Sequence, residues 1–232
     1  MVRIFALVPA AGNGARFGGG KPKQYATIED KPILQHAIER LAAALPIART
    51  YVALSPHDAW FAQDVTVGAG VVALRCGGAT RAESVAHALE RIEDIRNDDW
   101  VLVHDAVRPC IDAESLQRLV REIGEDEVGG LLAVPSAATL KRADGEGRCL
   151  RTESREGIWH AQTPQMFRYA VLREALSRPD ASKVTDEAQA VEALGLRPRL
   201  VEGSRTNVKV TFADDLVLAK AIFIAQRERG SA

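Results

Sequence analysis

A glycine-rich segment near the start of the chain carries three cationic residues and is the part best suited to chemistry. Arg16, Lys21 and Lys23 accompany the glycines of residues 12–20, which let the backbone approach a ligand closely. Backbone N–H groups can then point at anionic oxygens, and cationic side chains form strong hydrogen bonds to them. A short apolar run, 5–8, precedes the segment, so the pattern predicts a buried strand followed by a loop that binds a polyphosphate.

Two familiar phosphate loops do not fit this segment. A P-loop requires Ser or Thr directly after its Gly-Lys pair, whereas Pro22 follows Lys21. The dinucleotide fingerprint requires a third glycine where Phe17 stands, and it needs little positive charge because a helix N-terminus holds the pyrophosphate. The charge favours a nucleoside triphosphate with magnesium; a solvated surface loop is the alternative.

Composition limits the class of protein. A chain of 232 residues is long enough for one large α/β domain, and a net charge of −1 gives no sign of bulk nucleic-acid binding. Cys76, Cys110 and Cys149 lack metal-ligand spacing and are typical of reduced thiols. The first apolar run is too short for a signal peptide, and none approaches the roughly 20 residues of a membrane span. We expect a cytoplasmic protein with no fused second catalytic domain.

Apolar runs typical of strands alternate with segments of helical spacing. The predicted strands are 5–8, 50–54, 71–74, 100–103, 130–134, 198–201 and 207–210. The predicted helices are 33–45, 82–92, 113–123, 186–194 and 214–227, with Asp112 as an N-cap. This alternation predicts an α/β fold with a mostly parallel sheet and helices on both faces. Ligands of such folds bind beyond the carboxyl ends of the strands.

One segment, 135–167, interrupts the alternation because it is rich in basic residues and has few apolar positions. A stretch of this length without core residues should lie outside a compact domain. Its hydrophobic ends indicate a hairpin-like excursion that leaves the sheet and returns. We expect one domain, 1–232, with an arm subdomain at about 136–166; a disordered insertion and a flap are the alternatives.

Polar residues follow the predicted strand 100–103. Asp105 is placed to hold a magnesium ion or a substrate hydroxyl, and Arg108 to bind a phosphate or position the acid. The alternative is that Asp105 only caps a turn or pairs with Arg108. Lys209 lies inside the predicted strand 207–210, where a lysine is rarely buried unless an anion meets it; a lysine that reaches solvent is the alternative.

Two further segments combine small or hydroxyl residues with a helix start. Gly78 and Ser84 lie in 77–85, between a strand and a helix, where glycines allow close backbone approach. Thr185 precedes a capping pattern at Asp186. In both cases an ordinary helix N-terminus is the alternative.

These motifs together resemble one family. The segments AAGNGARFGGGKPKQY (10–25), HDAVRP (104–109) and NVKVT (207–211), with GG…R..SV between residues 77 and 85, are similar in type and order to those of the 2-C-methyl-D-erythritol 4-phosphate cytidylyltransferases. The resemblance covers nearly the whole chain and implies a Rossmann-like fold of the nucleotidyltransferase type. Ala79 departs from the family, whose members often carry Asp there.

The resemblance also implies an activity. The chain would transfer the cytidylyl group of CTP to 2-C-methyl-D-erythritol 4-phosphate, giving 4-diphosphocytidyl-2-C-methyl-D-erythritol and pyrophosphate in the non-mevalonate (MEP) isoprenoid pathway. Mg²⁺ or another divalent cation would be held mostly by the CTP phosphates, with Asp105 as a possible ligand. The partners would be CTP, the polyol phosphate and a second subunit joined through the arm, and neither nucleic acid nor membrane.

The site residues that the resemblance implies fall into three groups. The catalytic group is Arg16, Lys23, Asp105 and Lys209. The nucleotide-binding group is Ala10, Ala11, Gly12, Gly14, Gly78, Ser84 and Ala106. The acceptor-binding group is Arg108, Thr185, Thr139, Arg155 and Thr163, of which Thr139, Arg155 and Thr163 would reach the substrate of a partner subunit.

Three other functions remain open from the sequence. A cytidylyltransferase for another polyol phosphate, such as ribitol 5-phosphate, would carry similar motifs. A non-catalytic nucleotide-binding module would be expected to lack Asp105 or Lys209, which this chain keeps. A dinucleotide-dependent oxidoreductase would bind NADH instead of CTP.

Overall fold

The computed structural model describes residues 2–12, 17 and 20–230. Its strands are β1 (Ile4–Ala10), β2 (Thr27–Ile28), β3 (Lys31–Pro32), β4 (Ile47–Leu54), β5 (Val71–Arg75), β6 (Trp100–Val103), β7 (Gly129–Pro135), β8 (Leu140–Ala143), β9 (Cys149–Glu153), β10 (Trp159–Arg168) and β11 (Arg199–Glu202). Its helices are α1 (Ile33–Ala44), α2 (Phe61–Asp64), α3 (Arg81–Leu89), α4 (Ala113–Ile123), α5 (Tyr169–Leu176), α6 (Glu187–Glu192) and α7 (Ala213–Glu228). Short 3₁₀ turns cover Lys23–Tyr25 and Pro179–Lys183.

Among the described residues, seven strands form the central sheet, in the order β11-β7-β10-β6-β1-β4-β5. All neighbouring pairs are parallel except those of β10, which runs antiparallel to both β6 and β7. The mostly parallel α/β sheet predicted from the sequence is therefore confirmed.

Alternate side chains of β1 enter two different cores, because successive residues of a strand point to opposite faces. Ala6 and Val8 pack in one core with side chains of α1 and α4. Phe5 and Leu7 pack in the other with side chains of α3, α5 and α6. Helices thus cover both faces of the sheet. Because β1 is buried on both sides, its sequence is an unbroken apolar run.

Side-chain caps fix where three of these helices begin. Asp112 accepts a hydrogen bond from the Ser115 N–H at 2.7 Å, as predicted. Thr80 and Glu83 form a reciprocal capping box at the start of α3. Asp186 caps α6 by accepting from the Gln189 N–H at 2.9 Å. Two of these caps set the positions of the side chains that follow them, Arg81 and Glu187.

The structure contradicts the predicted strand 207–210, which has no strand conformation. The apolar residues of this segment pack elsewhere: Val210 is fully buried in a third core that includes Ala219 and Phe223 of α7. The Val210 N–H donates to the Val107 carbonyl at 2.9 Å, so one backbone hydrogen bond holds the segment beside the end of β6. The alternation of valines in this segment therefore reflects packing against α7, not pairing in a sheet.

The segment 135–167 contains an exposed hairpin and a buried strand. The strands β8 and β9 pair with each other in a sheet separate from the central one. By contrast, residues 163–167 of β10 are buried, and Gln165, Met166 and Phe167 pair with β6. The last residues of the predicted arm, about 136–166, therefore belong to the central sheet. The helix α5, which follows β10, was not predicted from the sequence. Within the described residues, no helix has the length and apolar character needed to span a bilayer.

We predict that Gly130→Ala lowers the stability of the fold. A Cβ atom on Gly130 would lie 2.1 Å from the backbone carbonyl oxygen of Arg199 in β11, which cannot move without breaking the sheet. Overpacking of this kind costs roughly 1–3 kcal/mol of unfolding free energy, measurable by urea denaturation. Gly145→Ala is the matched control, because a Cβ there meets no atom within 4 Å. Equal stability of the two variants would contradict the prediction.

Candidate active site

A cavity of about 610 Å³ opens at the carboxyl ends of β1 and β6. Its walls come from the end of β1, the 3₁₀ turn that begins at Lys23, the start of α3, the residues after β6 and the segment that precedes α7. The predicted site residues in its lining are Ala10, Ala11, Gly12, Lys23, Gly78, Ser84, Asp105, Ala106 and Lys209. The fold thus brings together residues that are far apart in the sequence.

Other predicted residues lie elsewhere. Arg108 lines a smaller neighbouring cavity of about 380 Å³, whose lining also includes Lys209. Thr139, Arg155 and Thr185 are exposed and are absent from the lining of both cavities. Arg16 and Gly14 are outside the described residues.

The backbone wall at the start of α3 requires glycine. A Cβ on Gly77 would lie 2.4 Å from the Ala11 Cβ, so the two loops could not approach each other with a side chain there. The Gly78 N–H donates to the Ser84 Oγ at 3.0 Å, and that hydroxyl donates to the Thr80 carbonyl at 2.9 Å. Ser84 therefore orders the glycine turn that faces the cavity.

Asp105 is buried, and cationic side chains surround its carboxylate. Lys209 Nζ lies 2.8 Å from Oδ2, and Arg108 Nε lies 3.5 Å from the same oxygen. Arg81 Nε donates to Oδ1 at 3.1 Å. Burial alone would raise the pKa of this carboxyl group, but the cations outweigh burial and hold its pKa well below the ordinary range. Asp105 is therefore ionised at neutral pH.

These contacts bear on the expected metal ion. Each Asp105 oxygen already faces at least one cation. In the part of the chain that the structure describes, no group of three or more His, Cys, Asp or Glu side chains could hold a metal ion. These residues do not fit a metal held by the protein, because a single carboxylate committed to cations is a poor site for a hard divalent ion.

Sequence reasoning missed the partner that fixes Arg81. Its Nη1 lies 2.6 Å from Oε1 of Glu187, whose side chain is buried at the start of α6. Burial raises the pKa of Glu187 despite the Arg81 charge. Burial would lower the pKa of Arg81, but Glu187 and Asp105 outweigh it and raise that pKa, so Arg81 stays charged. Arg81 stands in the recognised motif of residues 77–85, but no local pattern there indicates a contact with Glu187.

Asn207 was also part of a recognised motif without a role. Its side-chain amide donates to the Thr163 carbonyl at 2.8 Å, and its own carbonyl accepts from Arg108 Nη1 at 2.7 Å. Asn207 is fully buried. It therefore ties the segment that carries Lys209 to β10 and fixes Arg108 at the same point.

Thr163 differs from the expectation that it reaches a partner subunit. Its side chain is buried, and its Oγ1 accepts a hydrogen bond from the Asp105 N–H of the same chain at 3.0 Å. The physical reason is that β10 has returned to the central sheet by this residue, so Thr163 supports the end of β6.

His104 completes this support. Its Nδ1 lies 3.1 Å from Thr163 Oγ1, and its Nε2 lies 3.1 Å from the Arg108 carbonyl. Since the Thr163 hydroxyl oxygen accepts from Asp105, its proton is available for Nδ1, and Nε2–H then donates to the carbonyl. A neutral imidazole satisfies every contact. Burial lowers the pKa of His104 to about 4, consistent with this neutral form.

We predict that His104 makes the stability of the fold sensitive to mild acid. Its pKa is about 4 in the folded chain and about 6.5 in the unfolded chain. Between these values the unfolded chain binds a proton that the folded chain does not, so stability falls as pH decreases from about 6.5 to 4, by up to about 3 kcal/mol. Urea unfolding of the wild type and His104→Gln from pH 7 to 4.5 should give a shallower pH dependence for the variant. Parallel curves would contradict the assignment.

Comparisons with known proteins match nearly the whole chain. The sequence model of 2-C-methyl-D-erythritol 4-phosphate cytidylyltransferase matches residues 4–225. The enzyme of that name from Dechloromonas aromatica (strain RCB) is 51% identical over 230 residues, covering 98% of this chain and 100% of the relative.

Solved structures of the family have the same fold, and two of them show how similar it is to this chain. The crystal structure of a 4-diphosphocytidyl-2C-methyl-D-erythritol synthase has a TM-score of 0.85 and 37% identity, covering 96% of this chain and 99% of that one. The 2-C-methyl-D-erythritol 4-phosphate cytidylyltransferase of Francisella tularensis has a TM-score of 0.82 and 34% identity, covering 95% and 99%. The chain therefore belongs to the 2-C-methyl-D-erythritol 4-phosphate cytidylyltransferase family.

Proposed function

We propose that this chain transfers the cytidylyl group of CTP to 2-C-methyl-D-erythritol 4-phosphate, giving 4-diphosphocytidyl-2-C-methyl-D-erythritol and pyrophosphate. Family membership supports this activity over transfer to another polyol phosphate, simple nucleotide binding or dinucleotide chemistry. The observation that carries the proposal is that Lys23, Lys209 and the backbone at Gly12 and Gly78 line one and the same cavity, the larger of the two described above.

The reaction is a direct in-line displacement. A phosphate oxygen of the acceptor attacks the α-phosphorus of CTP, the bond from that phosphorus to the bridging oxygen breaks, and pyrophosphate leaves with the bond electrons. The attacking phosphate is anionic at neutral pH and needs no strong general base. What opposes reaction is the approach of two anions, so catalysis consists of positioning and electrostatic stabilisation.

The cavity suggests how the substrates are arranged. We place the cytosine against the backbone of residues 10–12 and Gly78, where N–H and carbonyl groups can pair with the edge of the base. Lys23 then faces the phosphates that leave, and Arg16 is assigned to the same phosphates by the family resemblance. Lys209 faces the α-phosphate and the attacking phosphate.

The acceptor occupies the side of the cavity nearer Arg108. The guanidinium of Arg108 is fixed by the Asn207 carbonyl and Asp105, so it presents its charge in a set orientation. We assign the acceptor phosphate to Arg108 and Lys209, and an acceptor hydroxyl to Asp105. Thr185 is assigned to the acceptor by the family resemblance alone, because it is absent from the lining of both cavities.

The expected Mg²⁺, or another divalent cation, is proposed to arrive with the CTP phosphates, because the described residues do not fit a metal held by the protein. Free cysteines at 76, 110 and 149 are compatible with a reducing compartment, and we place the reaction in the cytoplasm.

The hairpin of β8 and β9 supports the proposal of a homodimer joined through an arm. Thr139 and Arg155 flank this hairpin, are exposed, and are absent from the lining of their own chain's cavities. The Arg155 guanidinium donates to the Ala137 carbonyl, so the two ends of the excursion are held together. We propose that Thr139 and Arg155 reach the acceptor in the site of a second subunit.

We predict that Lys23→Ala lowers kcat by about 10²–10³, the loss seen when one group that stabilises a developing anion is removed. Pyrophosphate release with CTP and 2-C-methyl-D-erythritol 4-phosphate measures this. Lys31→Ala is the control, because Lys31 is exposed and pairs with Glu39 outside the cavity. Near-normal turnover of Lys23→Ala would refute the assignment. The same assay with ATP, GTP and UTP should give turnover far below that with CTP.

Subunit mixing tests the arm. Arg155→Ala and Lys23→Ala should each be nearly inactive alone. A heterodimer of the two variants has one site with both residues intact, so an equal mixture that exchanges subunits should recover about a quarter of the wild-type activity per chain. If Arg155 serves its own chain, no mixture regains activity.

A further inference from the structure

Arg81 holds two buried carboxylates at once. Its Nε donates to Asp105 Oδ1 at 3.1 Å, and its Nη1 lies 2.6 Å from Glu187 Oε1. As the first residue of α3, Arg81 follows directly after the Thr80 cap. It thereby links the cavity wall that carries Gly78 and Ser84 to the floor that carries Asp105.

The cations around Asp105 differ in how firmly they are held. Arg108 is 11% exposed and also binds the Asn207 carbonyl. Arg81 is 26% exposed and binds two carboxylates. Lys209 is 43% exposed, and the contact seen for its amine is the one to Asp105. Lys209 is therefore the cation that can leave Asp105 with the smallest change in burial.

A departure of Lys209 is possible only if Asp105 keeps other counterions, because a buried carboxylate without them is strongly destabilised. Arg108 approaches Asp105 Oδ2 at 3.5 Å, a weak contact. The shorter contact that remains is the hydrogen bond from Arg81 to Oδ1.

We infer that Arg81 is a positioning residue that neutralises Asp105 and so allows Lys209 to leave it for the substrate phosphates. Glu187 moderates this effect, because it shares the Arg81 charge and so weakens the hold of Arg81 on Asp105. The inference rests on the proposed function only in that the substrate phosphates are the groups to which the Lys209 amine moves.

The side chain must be arginine for this purpose. Its planar guanidinium presents nitrogens in a fixed fork and can bond to two separate carboxylates simultaneously. Lysine at residue 81 would keep the charge but would act as a point charge on one carboxylate or the other. Arg81→Lys should therefore restore only part of the wild-type behaviour.

The test measures how tightly Asp105 holds Lys209 without any substrate. An amine-acylating reagent labels the free-base form of each lysine, and mass spectrometry gives the rate at Lys209 relative to Lys31 in the same sample. In Arg81→Gln, Lys209 becomes a main counterion of Asp105, so its labelling should slow about tenfold, the size of one charge-assisted hydrogen bond. In Glu187→Gln, Arg81 serves Asp105 alone, so labelling should be as fast as in the wild type or faster.

The slower labelling expected in Arg81→Gln separates this role from a general loss of structure, which would speed labelling in both variants. Arg81→Gln leaves Glu187 as a buried charge without a partner, so the double variant Arg81→Gln/Glu187→Gln provides a version without that charge. It should show the slow labelling of Arg81→Gln. Unchanged labelling of Lys209 in the two variants that lack Arg81, or slower labelling in Glu187→Gln, would overturn the inference.

Steady-state kinetics distinguish this inference from the proposed function. Arg81→Gln should raise the KM for CTP about tenfold, in step with the slower labelling. A raised KM with unchanged labelling would mean that Arg81 contacts the nucleotide directly, and the inference would be wrong. Normal turnover of Lys209→Ala would instead refute the assigned role of Lys209, whatever the labelling rates.

Discussion

The active site depends on one buried carboxylate. Asp105 stands at the end of a strand whose residues are buried on both sides, where an ionised group is unstable unless cations surround it. Those cations come from the start of α3, the turn after β6 and the segment before α7. Because the buried Asp105 carboxylate is stable only with counterions, its contacts hold three parts of the chain together around the cavity. The same cations are then present when a polyphosphate enters.

A second layer keeps this arrangement in place. Thr163 and neutral His104 hold the backbone at the end of β6, while Asn207 joins Arg108 to β10. Thr163, His104 and Asn207 are buried, and they orient the residues that line the two cavities. Arg81, Arg108 and Lys209 each contact Asp105, and Arg81 also contacts Glu187, so each of these three cations has a carboxylate partner. Exchange of one carboxylate for phosphate oxygens is then a small rearrangement.

The sequence was a good guide where a single local signal determined the structure. The strand Trp100–Val103 and the helix Ala113–Ile123 have the predicted bounds, because an unbroken apolar run and a capping aspartate are each sufficient. Prediction failed where tertiary packing decided the structure. Residues 207–210 looked like a strand because their valines pack against α7, and the short helix Tyr169–Leu176 has too few turns to show a clear period. The Arg81–Glu187 pair joins residues far apart in sequence, and no local sequence pattern indicates it.

The most direct measurement of the central claim is a crystal structure of the protein with CTP and a divalent cation bound. We expect Lys23 and Lys209 within hydrogen-bond distance of phosphate oxygens, with the Lys209 amine withdrawn from Asp105 and Arg81 still bonded to that carboxylate. The account is contradicted if Lys209 remains on Asp105 while the phosphates lie elsewhere in the cavity.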